Sequence, residues 1–227
     1  MHVPNLVWIL KHKVFGRSRY YEQPVMNRLK QIHGGTFVDV GANVGRYTSK
    51  LAKNFISVHA FEPNPRYLPA LRASVPENVT VHPCALSDTE GSTLLFLNAA
   101  GHGGSADTIL KEFVYNPADN PLAARRFTGV ETESIRVLCT RFDSLFQDDT
   151  VDLVKIDVEG AEFLVLAGMA DSLKRSRVHN IVVELHDSNQ AGPLHALFAG
   201  YGYYSYWLDS THLFAHSHEG LINRRKP

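Results

Sequence analysis

The sequence predicts an α/β fold in which a mostly parallel sheet is covered by helices on both faces and edged by an antiparallel hairpin. Three observations carry this. Short apolar runs rich in β-branched residues recur at 36–40, 57–61, 152–156 and 181–185. Helical patterns separate them, and strands alternating with helices mark parallel strands joined by crossovers. The end of the chain departs from that rule: 203–208 and 212–216 flank Asp209-Ser210-Thr211, which reads as a hairpin turn.

The elements follow in order. Leu6, Val7, Leu10 and Val14 share one helical face, and Val25, Met26, Leu29 and Ile32 share another behind Pro24. Gly34-Gly35 is expected to stop that second helix. Strand 36–40, helix 46–53, strand 57–61, helix 66–74 and a third strand at 79–86 come next. Residues 98–134 interrupt the alternation with Gly101, Gly103 and Gly104, a helical pattern at 106–114, two Asn-Pro pairs and Arg125-Arg126. An insert of that length and loop chemistry points to a lid, a binding loop or disorder. Strand 152–156 resumes the pattern. A helix with Phe163, Leu166, Ala167 and Ala170 on one side, strand 181–185, and a last helix at 190–199 closed by Gly200 complete it. The expected organisation is an N-terminal helical segment at 1–35, one domain at 36–218 with the insert at 98–134, and a tail at 219–227.

Composition narrows the function. The 227 residues suit one ordinary domain with a full core. Lys plus Arg is 23 and Asp plus Glu is 23, and zero net charge argues against general nucleic-acid binding. The balance is uneven, because six cations and one acid before residue 31 leave that segment at +5 and the remainder at −5. Such a segment either packs its stripes on the body or offers a basic face to a peripheral membrane or an anionic glycan. Two cysteines, Cys84 and Cys139, read as reduced thiols. No apolar run approaches the roughly 20 residues of a spanning helix, and the N-terminus makes a poor secretion signal. A cytoplasmic location is expected. The oligomeric state stays open. Twelve histidines raise the question of a metal, but there is no HExxH pair and no Cys/His zinc spacing.

The strongest local pattern is Val38-Asp39-Val40-Gly41-Ala42-Asn43-Val44-Gly45, which follows a strand and opens a helix. Ligands of open parallel sheets bind at the carboxyl ends of strands. Glycine there lets a ligand approach the backbone, and helix N–H groups favour an anion. Glu62 ends the second strand 21 positions after Gly41, where an acid accepts hydrogen bonds from both hydroxyls of a ribose. The glycine spacing is GxxxG rather than GxGxxG, and no Lys-Ser/Thr follows, so neither a dinucleotide loop nor a Walker loop is present. A nucleoside whose anion is an amino-acid carboxylate fits better, which points to S-adenosylmethionine.

Four blocks in this order, FVDVGANVGRYT at 37–48, AFEPNP at 60–65, ALSD at 85–88 and DLVKIDVEGAE at 152–162, resemble the FkbM-type methyltransferases. The resemblance covers about two-thirds of the chain, and KIDVEGAE is its most distinctive block. It implies a Rossmann-like class I methyltransferase sheet of seven strands and S-adenosylmethionine-dependent O-methylation, often of a sugar or polyketide. Carried over position by position, Asp39, Gly41, Asn43 and Gly45 line the methionine half and Thr48 supports the helix start. Glu62 holds the ribose, with Pro63 and Asn64 beside the adenine. Cys84, Ala85 and Leu86 form its other wall, and Asp157 sits near the amino group and the transferred methyl.

Methyl transfer is an in-line displacement, so alignment supplies much of the rate. A sugar hydroxyl must also lose a proton, which asks for a base or a metal. Asp157 and Glu159 follow one strand, and Glu184 and His186 end its neighbour, two apart on one face. Expected roles are His186 as general base with Glu184 or Asp187 orienting it, or a divalent cation held by Asp157, Glu159 and His186. Glu159 and Glu162 also suit a helix N-terminus. His102, in the glycine-rich insert, is the lid candidate, and Tyr115, Arg125, Arg126, Phe127, Tyr204 and Trp207 are candidate substrate contacts. The expected acceptor is a hydroxyl of a sugar, glycan or glycosylated metabolite. Two rivals stand beside this: an NAD(P)-dependent oxidoreductase, whose GxGxxG turn and Tyr-xxx-Lys donor are missing, and a catalytically inactive binding module on the same fold.

Overall fold

The computed structural model describes residues 23–97, 107–110 and 133–222. The first stripe at Leu6–Val14, most of the insert and the end of the tail lie outside them. Among the described residues, ten strands form two sheets. The larger has seven strands: β1 (Gly34–Val40), β2 (Phe55–Phe61), β3 (Val79–His82), β7 (Val151–Ile156), β8 (Val178–Glu184), β9 (Tyr204–Trp207) and β10 (His212–His216). Their order across the sheet is β3-β2-β1-β7-β8-β10-β9. The pairs from β3 to β8 are parallel, and β10 runs antiparallel to both its neighbours.

This order positions the site. The chain moves outward from β1 to β2 and β3, then returns to place β7 on the other side of β1. Between β1 and β7 lies the switch point where open α/β sheets bind ligands. Val40 pairs with Ile156 at the last rung, so the turns at Gly41 and Asp157 leave the sheet side by side.

Both faces of the central strands are buried, as a parallel sheet requires. One face packs Val38, Val40, Val154 and Ile156 against Leu166, Met169, Leu194 and Phe198. The other packs Phe37, Leu153, Val182 and Phe214 against Val25, Met26 and Leu29 of α1 (Gln23–Leu29), with Leu51 of α2 (Thr48–Leu51). The second N-terminal stripe is therefore core. Arg28 lies 4.4 Å from the centroid of the Phe214 ring, and its Nε donates to the Tyr206 hydroxyl at 3.3 Å. That cation of the basic segment is engaged in packing.

The structure corrects several expectations. Gly34 and Gly35 do not stop a helix; α1 ends at Leu29 and the glycines open β1. They are small because Asp152 lies against them: a Cβ on Gly34 would run into its side chain, and its Oδ2 accepts the Gly35 and Thr36 N–H groups at 2.6 and 3.0 Å. The strand expected at 79–86 is two. Pro83 follows β3 and has no N–H to continue a ladder, and β4 (Ala85–Leu86) joins the smaller sheet, order β4-β6-β5, with β5 (Gly91–Phe96) and β6 (Ser134–Thr140). Neither β5 nor β6 was expected. The helix read at 106–114 is not helical where it is described: Thr108 forms an antiparallel bridge with Phe96, with N–H···O bonds of 2.8 and 3.1 Å. The helix after β7 is broken into α5 (Glu162–Gly168) and α6 (Ala170–Lys174), and its buried positions are Glu162, Val165, Leu166 and Gly168 rather than Phe163 and Ala167. The segment expected as a tail at 219–227 starts within α8 (His218–Ile222), which seats Gly220 on the His179 carbonyl, and Glu219 reaches the His179 ring at 3.2 Å. Among the described residues no helix is long and apolar enough to cross a membrane.

Gly168 and Gly192 separate packing from helix propensity. A Cβ on Gly168 would meet the Ser87 carbonyl, whereas one on Gly192, in α7 (Ala191–Gly200), meets nothing within 4 Å. Gly168→Ala is expected to lower stability by about 1–3 kcal/mol through overpacking. Gly192→Ala should leave it unchanged or raise it by up to about 1 kcal/mol. Urea denaturation of the two variants checks both.

Candidate cofactor and methyl-transfer site

A cleft of about 610 Å³, counted to its open mouth, lies at the carboxyl ends of β1, β2 and β7. Its floor is the turn after β1. Gly41 has φ +78, and a Cβ there would run into the Asp157 carbonyl, so only glycine lets the two turns meet. Gly41 and Ala42 both donate their N–H groups to the Phe61 carbonyl, at 3.0 and 2.9 Å. Asn43 is also left-handed, at φ +52, a conformation its short amide tolerates. Gly45 does not line the cleft; its Cβ position is filled by Ser74 and Leu71, so it serves the approach of α3 (Leu68–Ser74).

Glu62 closes the second strand's end and is 5% exposed. One oxygen accepts the Asn43 N–H at 2.8 Å and the other the Asn64 N–H at 2.7 Å. Burial pushes its carboxyl up to about 7 against the pull of these two amides. A carboxylate offers about four acceptor sites, so each oxygen keeps capacity for a further donor, and Glu62 lines the cleft. Pro63, Cys84, Ala85 and Leu86 line the cleft, and burial raises the Cys84 thiol to about 11, which makes it an inert wall. Asn64 is 1% exposed and turns its side-chain amide to Asp107 Oδ2 at 2.6 Å. Asp107 and Ile109, from the insert, are cleft walls that sequence reasoning missed.

Asp39 is fully buried and does not itself line the cleft. Thr48 Oγ1 donates to its Oδ2 at 2.6 Å, which fixes the start of α2. Lys155, its register partner on β7, lies 3.8 Å from Asp39 and 3.0 Å from Asp157. Burial works against that ammonium, but Asp157, Asp39 and Glu184 outweigh it and keep it charged. Asp157 is pulled down by Lys155 and His186 despite its own burial. The signal for Lys155 was available: a lysine inside an apolar strand needs an acid partner.

His186 departs from its expected role. Its Nδ1 lies 2.7 Å from Glu162, and its Nε2 lies 3.2 Å from Glu159 and 3.8 Å from Asp157. Burial opposes the charged ring, yet the Glu162 hydrogen bond and the charges of Glu159, Glu162 and Asp157 raise it to about 10. Both ring nitrogens are held by carboxylates, and the ring does not line the cleft. Its orienting partner is Glu162 rather than Glu184 or Asp187. Asp187 instead caps a turn through the Asn189 N–H at 2.9 Å. β8 ends at Glu184, so strand alternation does not reach His186, and Glu184 turns to His212 Nε2 at 3.3 Å. His212, 1% exposed, is held by Asp209 at 3.0 Å and raised to about 9 by these acids against its burial.

Asp157, Glu159 and His186 bring one ligand atom each within 4.8 Å of one another. The arrangement does not fit a divalent cation. The Lys155 ammonium already neutralises Asp157, and the two ring nitrogens of His186 are taken by Glu162 and Glu159. Trp207 lies outside the cleft with its ring 5.7 Å from that of His195, packed on the core. Tyr204 is exposed and 5.7 Å from His216. His102, Tyr115, Arg125, Arg126 and Phe127 fall outside the described residues.

The sheet order and the cleft at its switch point define a Rossmann-like methyltransferase fold. A solved FkbM methyltransferase from Methylobacillus flagellatus shares it with a TM-score of 0.51 at 16% identity, over 81% of this chain and 43% of that one. The family model for the methyltransferase FkbM domain matches residues 39–205, and the chain belongs to that family. It is 32% identical over 190 residues to a 31-O-demethyl-FK506 methyltransferase of Streptomyces tacrolimicus, spanning 75% of this chain and 73% of that protein. It is also 32% identical over 152 residues to a hexuronic acid methyltransferase of Haloferax volcanii, spanning 65% of this chain and 54% of that protein.

Lys155→Met leaves Asp39 and Asp157 without their cation. The expected loss is about 3–5 kcal/mol of stability, the cost of breaking a buried pair by removing one partner. Urea unfolding of the variant measures it, and a loss below about 1 kcal/mol would show that the two acids do not depend on Lys155.

Proposed function

We propose that the protein transfers the methyl group of S-adenosylmethionine to a hydroxyl of a sugar, glycan or glycosylated metabolite. Glu62 carries this reading: a buried acid at the end of β2, held by two backbone amides and facing the glycine turn across one cleft. The names of the two relatives, acting on a hexuronic acid and on the O-demethyl form of FK506, support the acceptor class. Free Cys84 and Cys139 suit a reducing, cytoplasmic setting.

S-adenosylmethionine brings an electrophilic methyl on a sulfonium. The chain's own groups do the rest. Glu62 accepts from the ribose hydroxyls, and the walls at Pro63, Ala85 and Leu86 exclude water from the base. Asp157, fixed by Lys155, faces the amino-acid end. Glu159 is the group suited to take the acceptor's proton. It lines the cleft with its side chain 27% exposed, and His186 is its ion-pair partner among the described residues. Asp157 is committed to Lys155, and Glu162 to His186 and the Gly160 N–H. Burial pushes Glu159 up to about 8 in spite of His186, and the acids Asp157, Glu184 and Glu162 add to the rise, so its ionised, proton-accepting form is the minor one at pH 7 and grows as pH rises through about 8. A base works best with its pKa near the operating pH. Glu159 also sits at φ +53, the kind of backbone strain that gathers at working sites.

Calorimetric titration tests the cofactor. S-adenosylmethionine should bind and NAD should not; the reverse would sink the reading. Glu62→Ala should weaken binding by about ten- to a hundredfold, the worth of charged hydrogen bonds. The ribose needs the ionised acid, so wild-type affinity should fall as pH drops through about 7. Between pH 8 and pH 6 that amounts to about tenfold, and Glu62→Gln should flatten the profile.

Once an acceptor is found in a panel of hexuronic acids, Glu159→Gln should cut turnover by about a hundredfold while S-adenosylmethionine affinity holds. His186→Ala should change both, because it removes the clamp on three acids.

A further inference from the structure

We propose that Asp107 reads the 6-amino group of the cofactor's adenine, so that the insert carries the base specificity of the cofactor site. The inference rests on the cofactor reading above. The insert leaves β5 and returns to β6, and its described part, residues 107–110, is tied to the smaller sheet. Thr108 bridges Phe96 through two backbone hydrogen bonds, and Ile109 packs on the cluster of Leu95, Leu97 and Val137. This seats Asp107 and Ile109 on the wall of the cleft that also carries Glu62 and Pro63.

Asp107 is held in the same framework as the ribose acid. Its Oδ2 accepts the Asn64 side-chain amide at 2.6 Å. Asn64 in turn gives its backbone N–H to Glu62 at 2.7 Å, and its Oδ1 accepts the Arg66 N–H at 2.8 Å. The Tyr67 hydroxyl also hydrogen-bonds Asp107. Asn64 therefore fixes the spacing between two carboxylates on one cleft, and the charge of Asp107 adds to the burial that holds Glu62 up.

The chemistry at that wall is one-sided. Pro63, Leu95 and Ile109 are apolar plates suited to the faces of a purine. An ionised carboxylate only accepts hydrogen bonds and has about four sites for them. Adenine offers an N–H donor at its 6-position, whereas a 6-oxo purine offers an acceptor there. A carboxylate at the base end therefore favours the amino purine and repels the oxo form. Asp107 need not be a mere strap anchor, since the bridge at Thr108 and the packing of Ile109 already hold the strap.

The test is calorimetric titration of the full chain with S-adenosylhomocysteine and with its 6-oxo counterpart, S-inosylhomocysteine. The wild type should prefer the adenine form by about tenfold or more, the worth of a hydrogen bond to a charged acceptor. Asp107→Asn, nearly isosteric and able to keep an acceptor for Asn64, should lose or invert the preference, because a carboxamide donates to the 6-oxo group. Ile109→Ala trims an apolar plate and the strap's packing but offers nothing to the 6-position, so it should weaken both ligands by the same factor. An Asp107→Asn variant that keeps the wild-type affinity ratio overturns this inference and leaves the cofactor reading intact. A wild type that binds neither ligand overturns both.

Discussion

A buried ammonium organises the carboxyl edge of this sheet. Lys155 points from the middle strand β7 between Asp39 of β1 and Asp157 at its own strand's end, with the Tyr47 ring centroid 4.8 Å from Nζ. Desolvation drives a buried carboxyl towards its neutral form, and Lys155 pulls both acids the other way: Asp157 ends below the usual carboxylate range, while burial still holds Asp39 above it. The pairing also fixes geometry. Asp39 holds Thr48 and with it the start of α2, while Asp157 closes on the Gly41 turn. The position of the cleft floor follows from one charged side chain placed among apolar neighbours.

The same device recurs along the edge. Glu159 faces His186, and Glu184 faces His212, so each acid at the ends of β7 and β8 has a cation in reach. On the proposed reading, these pairs would keep acids near a sulfonium without concentrating bare negative charge on it, which would stabilise the ground state as much as the transition state. They also differ in freedom. Lys155 and His212 are buried, whereas Glu159 reaches the cleft. A group that is held but incompletely satisfied is the one able to exchange a proton.

The strands of the main sheet and the turns that line the cleft were legible because both rest on local signals. The four blocks are contiguous in sequence, and all seven strands of the main sheet carry apolar runs of their own. The smaller sheet was hidden: β6 alternates in burial along its whole length, but Leu138, 63% exposed between Val137 and Cys139, makes the sequence read as an unbroken apolar run there. The His186 environment was misjudged for a different reason. Its partner Glu162 lies 24 positions away on the first turn of α5, where a helix-dipole role seemed sufficient. The spacing of Glu184 and His186 suggested one face, but the strand stops between them. Asp107 had no signal in the sequence, since only the fold of the insert against Phe96 brings it to the cleft.

The central claim is that Glu62 and the Gly41 turn form one nucleoside site beside the acids of β7. A crystal structure of the chain with S-adenosylhomocysteine tests this most directly. The account predicts both ribose hydroxyls on Glu62 within hydrogen-bond distance, and the thioether sulfur over the Gly41 turn on the side of Asp157 and Glu159. A ligand seated elsewhere, or lying in the cleft with its ribose away from Glu62, would contradict it.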